Sequence, residues 1–302
     1  LHWMVHSFPT RRSSDLAYGQ YFARADGDYN DPETWSKQGF DGDPSPTAPN
    51  KRSDRVRIQN HTITVTEQPH PAQIISVENG TEGRASGKLY IDNGFYLTGD
   101  TLKLEQNATL GISHENGITL APVADGNVRT DYRFYNTGAI YEYNGENEQT
   151  LGNGLPSTIK ALVVTKPNAD TLILTQNISI TDSLIINNGT LDMGASTING
   201  NSSGRTFKML GGEFIIRSAF PNNYTAPSLS DGRITFNGNG SVTIPSSGSS
   251  PGILQYNDLK ITGTNRSGNV TFQSLGEIKI KNTLDISELS FTDNTYKFFT
   301  NG

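Results

Sequence analysis

The acidic stretch from Asp26 to Asp31 places oxygen-bearing side chains at alternate positions, as calcium-binding loops do. Asp26, Asp28, Asn30 and Asp31 would supply the hard oxygen ligands that Ca²⁺ prefers. The match to a helix-loop-helix calcium loop is incomplete, because that pattern requires Gly at its sixth position and Glu at its twelfth, where this chain has Asp31 and Lys37. A calcium site and a solvated turn therefore stay open as alternatives, and no other cofactor is expected.

A second candidate is a group of aromatic residues: Tyr132, Phe134, Tyr135, Tyr141 and Tyr143. If they are exposed, Tyr132, Phe134 and Tyr135 would form a stacking surface for carbohydrate. The positions that match Tyr141 and Tyr143 in a later part of the chain carry Ile and Phe. Because Ile is usually buried, this correspondence favours the core for the group and leaves the carbohydrate surface as the alternative.

Signals for catalysis are weaker. Glu142, Glu146 and Glu148 cluster after one predicted strand, so a glycosidase pair of carboxylates is compatible with the composition. The sequence has no Cys, no phosphate loop and no dinucleotide fingerprint. We therefore expect a protein that is not an enzyme, with a polysaccharide lyase or glycosidase as the alternative. One mixed group of charges is interpreted as a solvated face: Arg205, Lys208, Arg217, Asp192 and Glu213.

Short strands and tight turns must position these residues. The chain has 31 Gly among its 302 residues and contains ten Asn-Gly pairs, which tolerate positive φ and mark turns. Between them lie β-branched runs that alternate with period two, such as Val56 to Ile58, Leu102 to Leu104 and Leu184 to Ile186. Such runs predict half-buried strands, so we expect an all-β fold.

The spacing of aliphatic residues indicates the architecture. Leu172, Ile178, Leu184, Leu191 and Ile198 follow one another at intervals of 6, 6, 7 and 7 residues. A sandwich of hairpins needs turns roughly every 8–12 residues. Shorter steps suit three-sided turns of about 20 residues wound around a narrow core. The pattern predicts a right-handed parallel β-helix, that is, a β-solenoid.

A longer correspondence relates residues of about 136–230 to residues 231–302. Tyr143-Asn144-Gly145 matches Phe236-Asn237-Gly238 at an offset of 93. Further pairs, with offsets that grow to 100, are Leu162 with Leu259, Leu172 with Val270, Ile178 with Ile278 and Leu184 with Leu284. Repeated modules favour a surface array over an enzyme with one unique site.

The first residues are set apart from the rest. The stretch from Ser7 to Leu16 resembles a translated sequencing adaptor, so residues 1–16 are expected to be non-native. We expect an N-terminal cap over residues 17–53 and the parallel β-helix over residues 54–302.

The segment from Gly27 to Trp35 reads Gly-Asp-Tyr-Asn-Asp-Pro-Glu-Thr-Trp. It resembles the Gly-x-Trp-x-Asp-Pro-x-Thr-Trp pattern of large secreted repeat proteins of Gram-negative bacteria, which are typically exported by type IX secretion. Tyr29 stands where that pattern has its first Trp. A Pro-rich turn from Pro44 to Pro49 and a strand at Val56 follow, as in that group. The resemblance implies a β-helical adhesin or stalk, located extracellularly or on the outer surface of a Gram-negative cell.

The first turn of a solenoid exposes an apolar end and unpaired strand edges, so it requires a cap. Asp31, Pro32, Thr34 and Trp35 are the expected cap residues. Asp31 would accept backbone N–H bonds, Pro32 would fix φ, and Trp35 would close the apolar end.

The charge balance limits which classes of partner molecule are expected. The chain has 24 Lys and Arg against 30 Asp and Glu, a net charge of −6, which gives no basic surface for nucleic acid. No apolar run reaches the roughly 18 residues of a membrane helix, so no membrane insertion is expected. The expected function is structural or adhesive, in a monomeric part of a longer chain, with extracellular polysaccharide or another surface ligand as the partner.

Overall fold

The fold is known from a computed structural model, which describes residues 18–286 except 82, 121–124, 201–203, 218, 223, 226, 238–241, 247–251, 254, 263–271 and 274–275. The chain is 47% strand and 3% helical, and its parallel sheets form a β-solenoid of about 9 turns. This confirms the predicted all-β parallel β-helix. Its handedness and the predicted limits of cap and helix stay predictions, and residues 1–16 lie outside the described residues.

Three long sheets form the sides of the solenoid. In order along the axis, sheet 1 contains β3 (Trp35–Ser36), β1 (Gln20–Ala23), β4 (Arg55–Ile58), β6 (Ala72–Val77), β8 (Gly99–Leu104) and β10 (Tyr132–Tyr135). Sheet 2 contains β2 (Gly27–Asp28), β5 (Thr62–Val65), β7 (Lys88–Ile91), β9 (Thr109–Ile112), β11 (Ile140–Tyr143), β13 (Thr158–Thr165), β15 (Ile178–Asn188), β18 (Thr206–Met209) and β20 (Ser228–Leu229), and β17 (Ile198–Asn199) also pairs with β15.

Sheet 3 contains β12 (Gln149–Thr150), β14 (Thr171–Ile173), β16 (Thr190–Asp192), β19 (Glu213–Ile216), β21 (Arg233–Asn237), β23 (Tyr256–Thr262) and β25 (Ile280–Ile286). A short sheet 4 pairs β22 (Val242–Thr243) with β24 (Phe272–Gln273). Two 3-10 helices span Pro32–Thr34 and Pro167–Ala169. Of the described strand pairs, β1–β3 alone is antiparallel.

The sheets differ in how far they extend. Sheet 2 runs from β2 to β20, whereas sheet 1 ends at β10 and sheet 3 begins at β12. The turn formed by β10, β11 and β12 therefore has strands in all three sheets and is the place where one side of the solenoid replaces another.

The aliphatic residues that predicted the fold line its core. Leu172, Ile178, Leu184, Leu191 and Ile198 are each at most 2% exposed. Leu172 pairs with Leu191 in sheet 3, and Ile178 pairs with Ile198 on a second side. Residues 19 or 20 positions apart therefore pair in neighbouring turns, whereas Ile178 and Leu184 lie on the same long strand, β15.

The longer correspondence does not follow the sheets. Tyr143 lies in sheet 2, whereas its sequence match Phe236 lies in sheet 3. Leu184 and Leu284 are divided between the same two sheets. Val270 and Gly238, which belong to other matched positions, lie outside the described residues.

Candidate functional site

Strand β10 presents two aromatic side chains to solvent. Tyr132 is 64% exposed and Phe134 is 58% exposed. In the register with β8, Tyr132 is opposite Thr101 and Phe134 is opposite Lys103 on the outer face. Two residues along a strand span about 6.6 Å, so both rings lie on one side at that spacing. For these two residues, the expectation of a core position is wrong.

The other three aromatic residues face the interior. Tyr141 and Tyr143 are 0% exposed, which confirms the core interpretation for them. Tyr135 is half-buried and packs edge-to-face on Tyr141, with 6.1 Å between ring centroids. Burial raises the pKa of all three phenols well above the ordinary value. Tyr135 therefore does not share the exposed surface with Tyr132 and Phe134.

Charged groups flank this exposed surface. Arg52 donates to Asp100 at 2.7 Å and to Asp131 at 3.3 Å, so it ties together the turns that contain β8 and β10. Lys103, opposite Phe134, is exposed and has no ion pair within the described part of the chain. The outer face at β10 thus combines two exposed rings with an adjacent ammonium group.

The alternation on β10 also directs a cation inward. Arg133 is opposite Leu102, and it ends the inward-facing column that contains Val56, Ile75 and Leu102. A charged side chain that points inward from an edge strand discourages further strand pairing. Sheet 1 does end at this strand.

The predicted calcium ligands are engaged separately. Asp26 Oδ1 accepts from the Thr62 N–H at 2.8 Å. Asp28 accepts from the backbone N–H of Asn30 at 2.7 Å and from that of Thr66 at 3.1 Å. Within residues that the structure describes, no group of three or more His, Cys, Asp or Glu side chains is placed to share a metal ion.

The expected cap residues form a closed first-turn segment, defined as residues 20–36. Asp31 Oδ1 accepts from the Glu33 N–H at 2.9 Å at the start of the 3-10 helix that contains Pro32 and the buried Thr34. Trp35 is 0% exposed, and its Nε1 donates to the Tyr29 carbonyl at 2.8 Å. β3 lies beyond β1 at the edge of sheet 1, and Trp35 belongs to the buried core.

Sequence reasoning missed the buried cations at the corners of the solenoid. Lys166 is 0% exposed, and its Nζ donates to the carbonyls of Gly145 and Asn147 and to Gln149 Oε1, at 2.6–2.8 Å. Burial lowers the pKa of Lys166 to about 8, although the charge of Asp170 opposes that shift. Corner carbonyls that lack a strand partner must find a donor elsewhere, and this ammonium group supplies it.

Arg205 has the same role, so its assignment to a solvated face is wrong. It is 1% exposed and donates to the carbonyls of Ile180, Asn199 and Asn222. Its guanidinium carbon lies 4.6 Å from the ring centroid of Tyr224. No local sequence signal marks this burial, because the acceptors come from three separate turns.

The remaining charges of that group behave differently. Arg217 forms a two-point ion pair with Asp192, at 2.8 and 2.6 Å. The pKa of Asp192 is lowered, because the bonds from Arg217 and the Gly194 N–H outweigh the opposing effect of burial. Glu213 accepts a bond from the Thr235 hydroxyl. Arg217 with Asp192 and Glu213 with Thr235 therefore form separate local pairs.

Of the three clustered glutamates, Glu142 alone lies within a strand. Its Oε2 accepts from the Tyr90 hydroxyl at 2.6 Å, whereas Glu146 and Glu148 are exposed beyond the end of β11. Desolvation and the hydrogen bond to Glu142 raise the pKa of Tyr90, so this phenol stays protonated and is a poor nucleophile.

Comparisons with protein-family models, with curated proteins and with solved structures gave no match. Among the described residues, no helix has the length and apolar character needed to span a membrane.

Proposed function

We propose that this chain is a structural and adhesive segment of a secreted or cell-surface bacterial protein, and that Tyr132 and Phe134 bind carbohydrate. The observation that carries the proposal is the exposure of both rings, 64% and 58%, on the outer face of one strand. Aromatic rings are usually buried, and a neighbouring exposed pair indicates a binding surface.

The surroundings suit a sugar chain. Two rings at a spacing of about 6.6 Å offer apolar faces for pyranose rings. Lys103 beside Phe134 and Asp131 beside Tyr132 supply a donor and an acceptor for hydroxyl groups. The solenoid holds this surface on a regular scaffold, which is how a stalk or adhesin would present it.

The first-turn segment is proposed as the cap of the solenoid. Trp35 covers the core beside Tyr29, and the antiparallel strand β3 occupies an edge that another chain would otherwise pair with. The resemblance of Gly27 to Trp35 to secreted repeat proteins supports the same role and an extracellular location.

The test is retention on a panel of neutral and anionic polysaccharides in affinity electrophoresis. The variant Tyr132→Ala/Phe134→Ala should lose retention, whereas Leu210→Ala, which removes a 51% exposed side chain elsewhere, should retain it. Equal retention of both variants would refute the aromatic surface, and so would no retention of the unaltered protein on any polysaccharide.

The alternative function is that of a polysaccharide-acting enzyme on a β-helix. The same incubations can be assayed for new reducing ends, and their appearance would favour the enzyme. Retention without cleavage would favour adhesion.

A further inference from the structure

Three polar groups without partners lie on β10 and β11, in the turn where sheet 1 ends. Within the described residues, Arg133 Nε, Tyr135 Oη and Tyr141 Oη are buried and have no hydrogen-bond partner. The side chains are neighbours, since Tyr135 packs on Tyr141 and influences the pKa of Arg133. Buried polar groups are nearly always satisfied, so three together require an explanation.

The electrostatics of Arg133 indicate what kind of partner is needed. Its Nη1 donates to the Thr119 carbonyl, a neutral acceptor. Its pKa is lowered by burial, and the effect that opposes this comes from Tyr135 and not from a carboxylate. Elsewhere in the described structure, Arg57 and Arg217 form two-point pairs with Glu78 and Asp192. Arg133 is thus a partly buried cation without an ion pair among the described residues.

The tyrosines add donors to that cation. Some other buried tyrosines reach acceptors: Tyr143 donates to the Leu151 carbonyl at 2.7 Å, and Tyr256 donates to the Pro245 carbonyl at 2.8 Å. The hydroxyls of Tyr29 and Tyr224 are without a partner among the described residues, but they lie outside the turn that contains β10 and β11. Tyr135 and Tyr141 have hydroxyls of the same chemistry without such an acceptor in the described chain. A guanidinium N–H and two phenol O–H groups together form a set of three donors.

We propose that Arg133, Tyr135 and Tyr141 bind a small monovalent inorganic anion, such as chloride, inside the solenoid. An anion would accept from all three donors and compensate the charge of one guanidinium, whereas a water molecule would satisfy the hydroxyls but leave the charge of this partly buried guanidinium uncompensated. The proposal does not depend on carbohydrate binding, because it concerns the inward-facing side chains of β10 and β11.

The first test is thermal unfolding of the full chain in sodium chloride and in sodium gluconate at equal ionic strength. A bound anion stabilises the folded state by mass action, so chloride well above its dissociation constant should raise Tm by about 3 °C relative to gluconate. The variant Tyr135→Phe/Tyr141→Phe keeps the rings and removes only the hydroxyls, and it should lose most of this difference. Tyr143→Phe, whose hydroxyl has a protein acceptor, is the matched control and should keep it.

The second measurement keeps the test decisive if a variant folds poorly. Crystals of the unaltered protein soaked in sodium bromide should show an anomalous peak between Arg133 and the two hydroxyls. A water molecule at that position without a bromide peak would overturn the proposal. A chloride effect of equal size in the unaltered protein and in Tyr135→Phe/Tyr141→Phe would overturn it as well.

Discussion

The Tyr90 hydroxyl donates a 2.6 Å hydrogen bond to Glu142 Oε2 across an intervening turn of the solenoid. The residue between them in the same column is Gly111. A Cβ atom at Gly111 would lie 2.0 Å from Tyr90 Cδ1, so the ring lies flat against the glycine backbone. Because Gly111 has no side chain, Tyr90 in the preceding turn reaches across it to Glu142 in the following turn.

Gly111→Ala should destabilise the protein by about 1–2 kcal/mol, because the added methyl displaces the Tyr90 ring and breaks its bond to Glu142. In a Tyr90→Ala background, the same substitution should be neutral or stabilising, since glycine within a strand is otherwise unfavourable. Urea denaturation of the four proteins in this cycle measures the coupling. Equal effects of Gly111→Ala in both backgrounds would contradict the flat packing.

Trp35→Ala should lower stability by about 3–5 kcal/mol, because it removes a fully buried indole and its bond to the Tyr29 carbonyl. If the first-turn segment is a cap, light scattering should also show increased aggregation. Glu33→Ala in the same segment removes an exposed side chain and should leave both measurements nearly unchanged. Unaltered Tm and solubility for Trp35→Ala would argue against the cap.

Lys166→Met should cost about 2–4 kcal/mol, since it removes the donor from three acceptors, two of them buried, while roughly preserving side-chain volume. Lys160→Met is the control, because Lys160 Nζ has one acceptor, Asn107 Oδ1 at 2.6 Å, and is only partly buried. Denaturant midpoints of the two variants give the comparison. Similar losses of stability in both variants would show that the buried Lys166 ammonium group contributes no more than the partly buried one of Lys160.

The pKa of Lys166 predicts a pH dependence. The folded pKa is about 8, below the unfolded value of about 10.4, so between these values the unfolded state binds more protons. Stability should therefore rise with pH across that window, and the rise should be smaller in Lys166→Met. The readout is the difference between the two proteins in their unfolding free energies at several pH values. If the unfolding free energies of the two proteins changed with pH in parallel, the lowered pKa of Lys166 would be refuted.

At higher pH, buried tyrosines should make stability fall as the pH rises. Burial raises the pKa of Tyr141, Tyr143 and Tyr256 above the unfolded value of about 10. Their contribution to stability is complete below that value and is lost as the pH rises toward the folded pKa. Tyrosinate absorbance should therefore increase in a cooperative step that coincides with loss of circular dichroism. Ionisation of all tyrosines in a chain that remains folded would contradict this prediction.

Spacing alone predicted the path of the chain, because a parallel coil has to bring residues such as Leu172 and Leu191 into register after each turn. It could not predict which way the alternation on β10 faces. Tyr132-Arg133-Phe134-Tyr135 looks like a strand with its aromatics inside, yet the structure directs Arg133 inward and two rings outward. Which side chains of β10 face inward depends on where sheet 1 ends, and the neighbouring turns determine that end.

The same limit applies to the buried polar residues. Lys166 and Arg205 look like surface residues locally, and their acceptors lie 17–21 and 6–25 residues away along the chain. Only the turn that contains Pro167 hints at a corner beside Lys166. For Asp26 and Asp28, the alternate spacing suggested convergent ligands, but the two carboxylates accept separate bonds from the backbone N–H groups of Thr62 and Thr66, at opposite ends of β5.

The replacement of sheet 1 by sheet 3 has a mechanical meaning. Each turn is bonded to the turn before it and the turn after it, so tension along the axis passes through the turns in series. Sheet 2 would transmit that tension continuously from β2 to β20. The other load-bearing sheet is sheet 1 up to β10 and sheet 3 from β12 onward. A stretched molecule would therefore experience a sideways torque at that turn, the same turn that presents Tyr132 and Phe134.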